Sequence, residues 1–418
     1  MEPITEKKST PIRVCDSWTP PESSMKKEKT RPKIRACLGT SNGRSSMEWY
    51  TLDITDDDDR EIVRCRCNCG CKCCATRMRH DTRDCPLLLP RATLINDEEG
   101  KYHGSWAVSG DQLYFVGVKV SRSSNFEPPT VLAFNLIDDD NNNGIVGSPR
   151  IGVNEQWIHK PGMLIPRDEL SKTVALGGKL YVLGTGYDDH DHPWAEVYDP
   201  TSNTWDALPD PPFIPESCTC TLVAALEGDD DVDDDDKKDS GGSLIILSFE
   251  DGALMEYNVV SKSWKNMYKF ELNARWVLLN LKSDGRAVAV GRVLYWFCGD
   301  GINCLYGLDL DTHVVYKSKP VADIDSHEPM LGHLGGNRFF LLYEYWQSTD
   351  DLWFQHAPPL PDGTQETKFF HCWKFNVSLG GSSTSTAREG EQTMTISQES
   401  SQSFVIKDGS FSTGCVLY

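Results

Sequence analysis

The chain has 418 residues, 39% of them hydrophobic, with 12 Trp, 14 Tyr and 15 Phe, which is ample for a packed core and excludes wholesale disorder. Its formal net charge of −20 argues against nucleic acid as a partner, because phosphates call for a basic surface. No apolar stretch is long enough to cross a bilayer, and the N-terminal residues lack the apolar core of a signal peptide. A cytoplasmic or nuclear protein with reduced thiols and no membrane partner is therefore expected.

Residues 1–32 carry Lys7, Lys8, Lys26, Lys27 and Lys29 among Pro, Ser and Thr, and read as a flexible basic arm. From residue 33 onward the chain repeats itself. "KIRACLGTSNGRSSMEWYTLD", 33–53, lies over "KLYVLGTGYDDHDHPWAEVYD", 179–199, so that Leu52-Asp53 matches Tyr198-Asp199. After Asp53 comes an insertion over 55–85 containing "RCRCNCGCKCC". Cys65, Cys67, Cys69, Cys71, Cys73 and Cys74 fall within ten residues there, beside Arg64, Arg66, Lys72 and Arg77. Alternating thiolates next to cations suit a soft ion, zinc or copper. The usual zinc spacing of two separated Cys-x₂₋₄-Cys pairs is missing, so a solvated insertion is the reading adopted and no cofactor is expected.

A short buried-strand signal then recurs: "LYFV" at 113, "LYVL" at 180, "LIIL" at 244, "LYWF" at 294 and "FFLL" at 339, at intervals of 67, 64, 50 and 45 residues. The longer intervals hold acidic insertions at 137–145 and 227–242, read as solvated loop tips. Each buried strand is followed by a strand closed by an apolar residue and Asp or Asn. These are Phe134-Asn135, Tyr198-Asp199, Tyr257-Asn258, Leu308-Asp309 and Phe375-Asn376, besides Leu52-Asp53. Trp205 lies seven residues after Tyr198, Trp264 seven after Tyr257, and Val315 seven after Leu308. The Asp or Asn side chain bonds backbone N–H groups two residues on and starts a turn, while the ring fills the space between layers. Gly177-Gly178 makes the tight turn before "LYVL", whereas "SGDQ" and "AVGR" stand in its place elsewhere. Residues 379–402 are rich in Ser and Thr and read as a loop.

A period near 50 residues with four strands per unit is the pattern of a blade. Gly177-Gly178, Tyr198-Asp199 and Trp205 together resemble the kelch repeat, and residues 33–418 are similar to plant-type kelch-repeat proteins. The resemblance implies an all-β kelch-type β-propeller, with six four-stranded blades by our count. An open ring would expose the edges of its first and last blades. The tail "SFVIKDGSFSTGCVLY" is the expected innermost strand of the first blade, with a strand just before Lys33 as the competing donor.

Function is less legible. Some plant kelch proteins that redirect glucosinolate breakdown carry Glu-x₃-Asp-x₃-His. Here Asp188 and His192 keep the second spacing but Gly184 replaces Glu; Asp323 and His327 follow Lys319, and Asp309 and His313 follow Leu305. The stretch Asp188–His192 reads as a solvated loop, and no nucleophile–base pair is evident. The 32 residues before the propeller are too few for the F-box of many plant relatives, which is taken to be absent. The expectation is a non-catalytic protein-interaction scaffold that recruits a protein partner. The alternative is a metal-dependent or metal-handling protein using Cys65–Cys74 or Asp188–His192.

Overall fold

The computed structural model describes residues 35–42, 46–54, 87–88, 92–95, 100–121, 129–136, 157–167, 171–184, 193–212, 220–228, 243–249, 252–269, 287–298, 303–321, 329–345, 367–380, 391–407 and 412–417. Every regular element among them is a strand. The basic arm 1–32, Cys65–Cys74, Asp188–His192, Asp323, His327 and the acidic stretches 137–145 and 229–242 lie outside the described residues.

Among the described residues the strands group into six units, which form five sheets. The first holds β1 (Arg35–Asn42), β2 (Ser46–Asp53) and β4 (Ala92–Ile95), while the two-residue β3 (Leu87–Leu88), between β2 and β4 in the chain, pairs outside it. The second holds β5 (Gly100–Ser109), β6 (Gln112–Ser121), β7 (Thr130–Asn135) and β8 (Ile158–Lys160). The third holds β9 (Lys172–Leu176), β10 (Lys179–Leu183), β11 (Ala195–Asp199) and β12 (Thr204–Ala207). In the fourth are β13 (Cys220–Leu226), β14 (Leu244–Phe249), β15 (Ala253–Asn258) and β16 (Ser263–Lys269). In the fifth are β17 (Val288–Val290), β18 (Val293–Cys298), β19 (Cys304–Asp309) and β20 (Val315–Ser318). In the sixth are β21 (Met330–Gly335), β22 (Arg338–Tyr345), β23 (Thr367–Leu379) and β24 (Glu391–Lys407), followed by the tail strand β25 (Ser412–Leu417). Units two to six are antiparallel meanders in chain order. The first has the order β25-β1-β2-β4, so the tail supplies its innermost strand.

Each recurring apolar run is the second strand of its unit, and the reason is its position. A second strand has a paired neighbour on each edge and another unit against each face, so both of its faces are dry. All six residues of β14, Leu-Ile-Ile-Leu-Ser-Phe, are buried. Its Ile246 joins a core shared with the fifth unit, while Ile245 and Leu247 join one shared with the third. On the outermost strand β12 only Trp205 is buried.

Six apolar clusters result, each lying between two adjacent units, and together they close a cycle. Trp49 packs with Trp106 between units one and two, with ring centroids 4.2 Å apart. Tyr114 and Tyr198 share the next cluster, then Phe249 and Trp194, Trp296 and Leu244, and Tyr295 and Phe339. The last joins Phe340, Phe370 and Phe404 of unit six to Tyr50, Leu52 and Ile54 of unit one. The innermost strands follow the same cycle, from β25 to β5, β9, β13, β17, β21 and back to β25. The fold is an all-β propeller.

Two features differ from the sequence reading. Within 379–402, expected as a Ser/Thr-rich loop, the described residues are almost all strand: β23 runs on to Leu379 and β24 starts at Glu391. Backbone pairing on two sides overrides the polar composition, because β24 pairs with β23 from Met394 to Lys407 and, in parallel, with β20 at Glu391–Met394. Among the described side chains of β24, Met394, Ile396 and Phe404 enter a core. The parallel pairing merges units five and six into one sheet, and β3 adds to the far end of β24 at Val405–Ile406.

Candidate functional site

The repeated Asp/Asn positions are turn caps. Asp199 Oδ1 accepts from the N–H groups of Thr201 at 2.8 Å and Ser202 at 3.4 Å. Asn258 Oδ1 accepts from Val260 and Ser261 at 3.0 and 2.9 Å, and Asp309 Oδ1 from Asp311 and Thr312 at 2.9 and 3.0 Å. Each turn then closes through a residue with φ near +55°: Asn203 (58°), Lys262 (52°) and His313 (58°). Before β10, Gly177 and Gly178 both have positive φ, as a two-residue hairpin turn with the twist of the strands requires.

The Lys179 ammonium, 2.9 Å away, and the Thr201 N–H hold the Asp199 carboxyl below its ordinary range. The Thr312 N–H does the same for Asp309. A depressed folded-state value means the stabilisation is present above the unfolded-state pKa of about 3.9 and is lost as pH falls through the lower folded value. Replacing both residues by Asn, the residue already present at 258, keeps the acceptor and removes the charge. The gap in urea midpoint between wild type and the D199N/D309N variant should therefore narrow from pH 6 to pH 3. An unchanged gap would show that these turns do not titrate.

The seven-residue spacing from Tyr198 to Trp205 places the two side by side across β11–β12, and Tyr257 faces Trp264 likewise across β15–β16. Their rings sit 5.2 and 4.7 Å apart. Each indole then reaches the preceding unit: Trp205 Nε1 donates to Pro161 O at 2.9 Å, and Trp264 Nε1 to Pro209 O at 2.7 Å. The fifth unit has Val315 opposite Leu308, and at this position its contact with the fourth is the ring of His313 stacked on Tyr268 at 4.4 Å. Replacing Trp264 by Phe keeps most of the packing and removes one hydrogen bond between units, so stability should fall by about 1 kcal/mol in denaturant titration. A change within a few tenths would mean that the ring alone holds the joint.

Among the described residues, one buried polar cluster is not advertised by the sequence. Arg167, on the segment entering unit three, is fully buried and pairs with Glu196 of β11, NH2 to Oε1 at 2.8 Å. Its guanidinium also donates to the carbonyls of Gly184, of Trp194 at 2.7 Å and of Pro193 at 2.9 Å. Glu196 Oε2 accepts from Leu164 N–H at 2.6 Å. Residues 184 and 193–194 are the two roots of the loop that contains Asp188–His192, so the neck of that loop is clamped. The ion pair ties together four backbone groups, the carbonyls of Gly184, Pro193 and Trp194 and the N–H of Leu164, which makes the cluster architectural.

Burial pushes the thiols of Cys37, Cys220 and Cys372 up to about 12, and the phenols of Tyr114, Tyr257 and Tyr295 to about 12. Such thiols are inert packing groups. Asp309 and His313, read against the iron motif, are respectively a turn cap and a ring stacked on Tyr268. Among the described residues no three His, Cys, Asp or Glu side chains are grouped to hold a metal ion.

A model of the kelch motif matches residues 171–212, the unit in which the Gly-Gly turn, the Asp199 cap and the Trp205 clasp all occur. Residues 171–212 carry a kelch motif. In Arabidopsis thaliana, F-box/kelch-repeat protein At4g19330 is 49% identical over 51 residues, 12% of this chain and 13% of that protein. F-box/kelch-repeat protein At4g19870 is 36% identical over 74 residues, 17% of this chain and 18% of that protein. The chain thus matches less than a fifth of either relative's length. The solved structure of YjhT is similar at 12% identity and a TM-score of 0.37, covering 66% of this chain and 81% of that one. The assignment as a propeller rests on the strand order and the cycle of cores.

The four-stranded units also sort the insertions. In an antiparallel unit the end of the first strand, the start of the second, the end of the third and the start of the fourth lie together. The cysteine-rich insertion leaves the end of β2, the acidic stretch 137–145 the end of β7, 229–242 the end of β13, and 381–390 the end of β23. All four root at this same end of their units. The loop holding Asp188–His192 joins β10 to β11 and roots at the opposite end.

Proposed function

We propose that this kelch propeller is a non-catalytic scaffold that binds a protein partner, using the end at which its four compositionally distinct insertions root. The carrying observation is that coincidence of roots: the repeat tolerates departures of composition repeatedly at one end while its cores stay intact. The acidic runs at 137–145 and 229–242 favour a partner with a basic face, and charge complementarity would speed its association. The names of the F-box/kelch relatives support a partner-recruiting use.

The test is affinity capture with mass spectrometry on three chains: the full chain, one with 229–242 replaced by a two-residue turn, and one with 185–192 shortened. Loss of a stoichiometric partner in the second chain alone is the expected result. Retention there with loss in the third would reverse the assigned end. Elemental analysis of the same preparations decides the metal alternative. Stoichiometric zinc or copper, lost when Cys65–Cys74 are changed to Ser, would replace the scaffold reading with metal handling.

A further inference from the structure

Five cysteines among the described residues are buried thiols: Cys37, Cys220, Cys298, Cys304 and Cys372. Two of them face each other. Cys298 is the last residue of β18, Cys304 the first of β19, and they are register partners in the antiparallel ladder. Cys37 faces Thr51 and Val416, Cys220 faces Phe249, and Cys372 faces Leu342 and Gln402. Both sulfur-bearing side chains of the pair enter the same core, beside Trp296 and Tyr306, so they leave the sheet on one side.

The hydrogen bonds around β19 fix the type of pair. Leu310 N–H donates to Arg292 O toward β18, whereas Asp309 N–H donates to Val314 O and Leu305 N–H to Ser318 Oγ, both toward β20. Even-numbered residues of β19 therefore turn their N–H groups to β18, and Cys298 with Cys304 is a hydrogen-bonded pair. In such a pair the Cα atoms are about 5.5 Å apart, inside the roughly 4.4–6.8 Å that a disulfide spans. The Cβ atoms of opposed residues are about 4.5–5.5 Å apart, slightly beyond the 3.5–4.5 Å or so of a relaxed disulfide. The bond can form, and it forms under strain. A strained disulfide is the readily reduced kind, suited to a reversible change.

We infer that Cys298 and Cys304 are a reversible modification site, a cross-strand disulfide at the end of the β18–β19 hairpin, made and broken by exchange with a small disulfide such as glutathione disulfide. One thiolate attacks the oxidant's S–S bond, forming a mixed disulfide and releasing one glutathione thiolate. The second protein thiolate then attacks the protein sulfur of that mixed disulfide, closing the Cys298–Cys304 bond and releasing the second glutathione. Two protein thiols are oxidised, one oxidant disulfide is reduced to two thiols, and the two protons pass to the departing thiolates. Both cysteines are fully buried, but they are the terminal pair of the ladder, so exposing them takes only the opening of the hairpin end.

The sequence makes the test clean. Trypsin, cutting after Arg292 and Lys317, releases residues 293–317, in which Cys298 and Cys304 are the only cysteines. Folded full-length protein with Cys65–Cys74 changed to Ser, which removes competing exchange, is equilibrated with glutathione buffers, acid-quenched, denatured and alkylated without reductant. The expected product at high disulfide ratio is peptide 293–317 without alkyl groups and lighter by two hydrogens, while the peptides of Cys37, Cys220 and Cys372 stay alkylated. Dithiothreitol should restore two alkyl groups, and the Cys304→Ser variant should show no internal link at any ratio. Doubly alkylated 293–317 at every ratio would overturn the proposal, and so would a glutathione adduct that never resolves.

Discussion

Replacing Arg167 by Ala should destabilise the propeller by about 3–5 kcal/mol in urea titration, the usual cost of stranding one partner of a buried ion pair. The magnitude follows from what stays behind. Glu196 would be left without its counter-charge at a site with no solvent exposure, and the carbonyls of Gly184, Pro193 and Trp194 would lose the guanidinium donor they share. Glu196→Ala should cost a similar amount from the other side, leaving Arg167 buried without its counter-charge. The double replacement Arg167→Met with Glu196→Leu should recover much of the loss, since an apolar pair of similar volume removes both buried charges together. A single variant that loses less than 1 kcal/mol or so would mean that water replaces the clamp.

The second large effect concerns closure of the ring. Deleting residues 408–418 removes β25, which pairs with β1 from Ala36 to Thr40 and provides the innermost strand of the first unit. The loss uncovers the edge of β1 and breaks the contacts of β25 with β5 and β21 on either side. A destabilisation on the order of 4 kcal/mol or more is expected, since an entire edge and two joints are removed. Amide exchange should accelerate first in β1 and β2. Adding a peptide of residues 408–418 should reverse the change, which separates strand loss from a general failure to fold. A truncated chain as stable as the full one, and indifferent to the peptide, would show that β3 on β24 and the core around Tyr50, Phe340 and Phe404 close the ring unaided.

Much of this architecture is written locally. The apolar runs at 113, 180, 244, 294 and 339 announce strands buried on both faces, because apolar residues without alternation fit a strand that has another unit packed against each face. Asp199, Asn258 and Asp309 act within three residues of themselves, so a short stretch of chain contains both the cap and the groups it caps. The seven-residue step to Trp205 and Trp264 is a hairpin measured in residues, and it sets the ring opposite Tyr198 and Tyr257 before any other unit is present.

What required the folded chain are the interactions whose partners are distant. Arg167 and Glu196 meet 29 residues apart because the segment entering unit three crosses the roots of its loop, and neither residue stands in a local pattern that marks it. The polar stretch from Glu391 becomes strand because β23 and β20 present unpaired backbone to it, a demand for hydrogen bonds that outweighs the preference of Ser, Gln and Thr for loops. Sequence alone determined the repeating unit and its turns, since those are made by residues close along the chain. Tertiary structure decided how one unit is locked to the next, since that depends on groups brought together only when the ring closes.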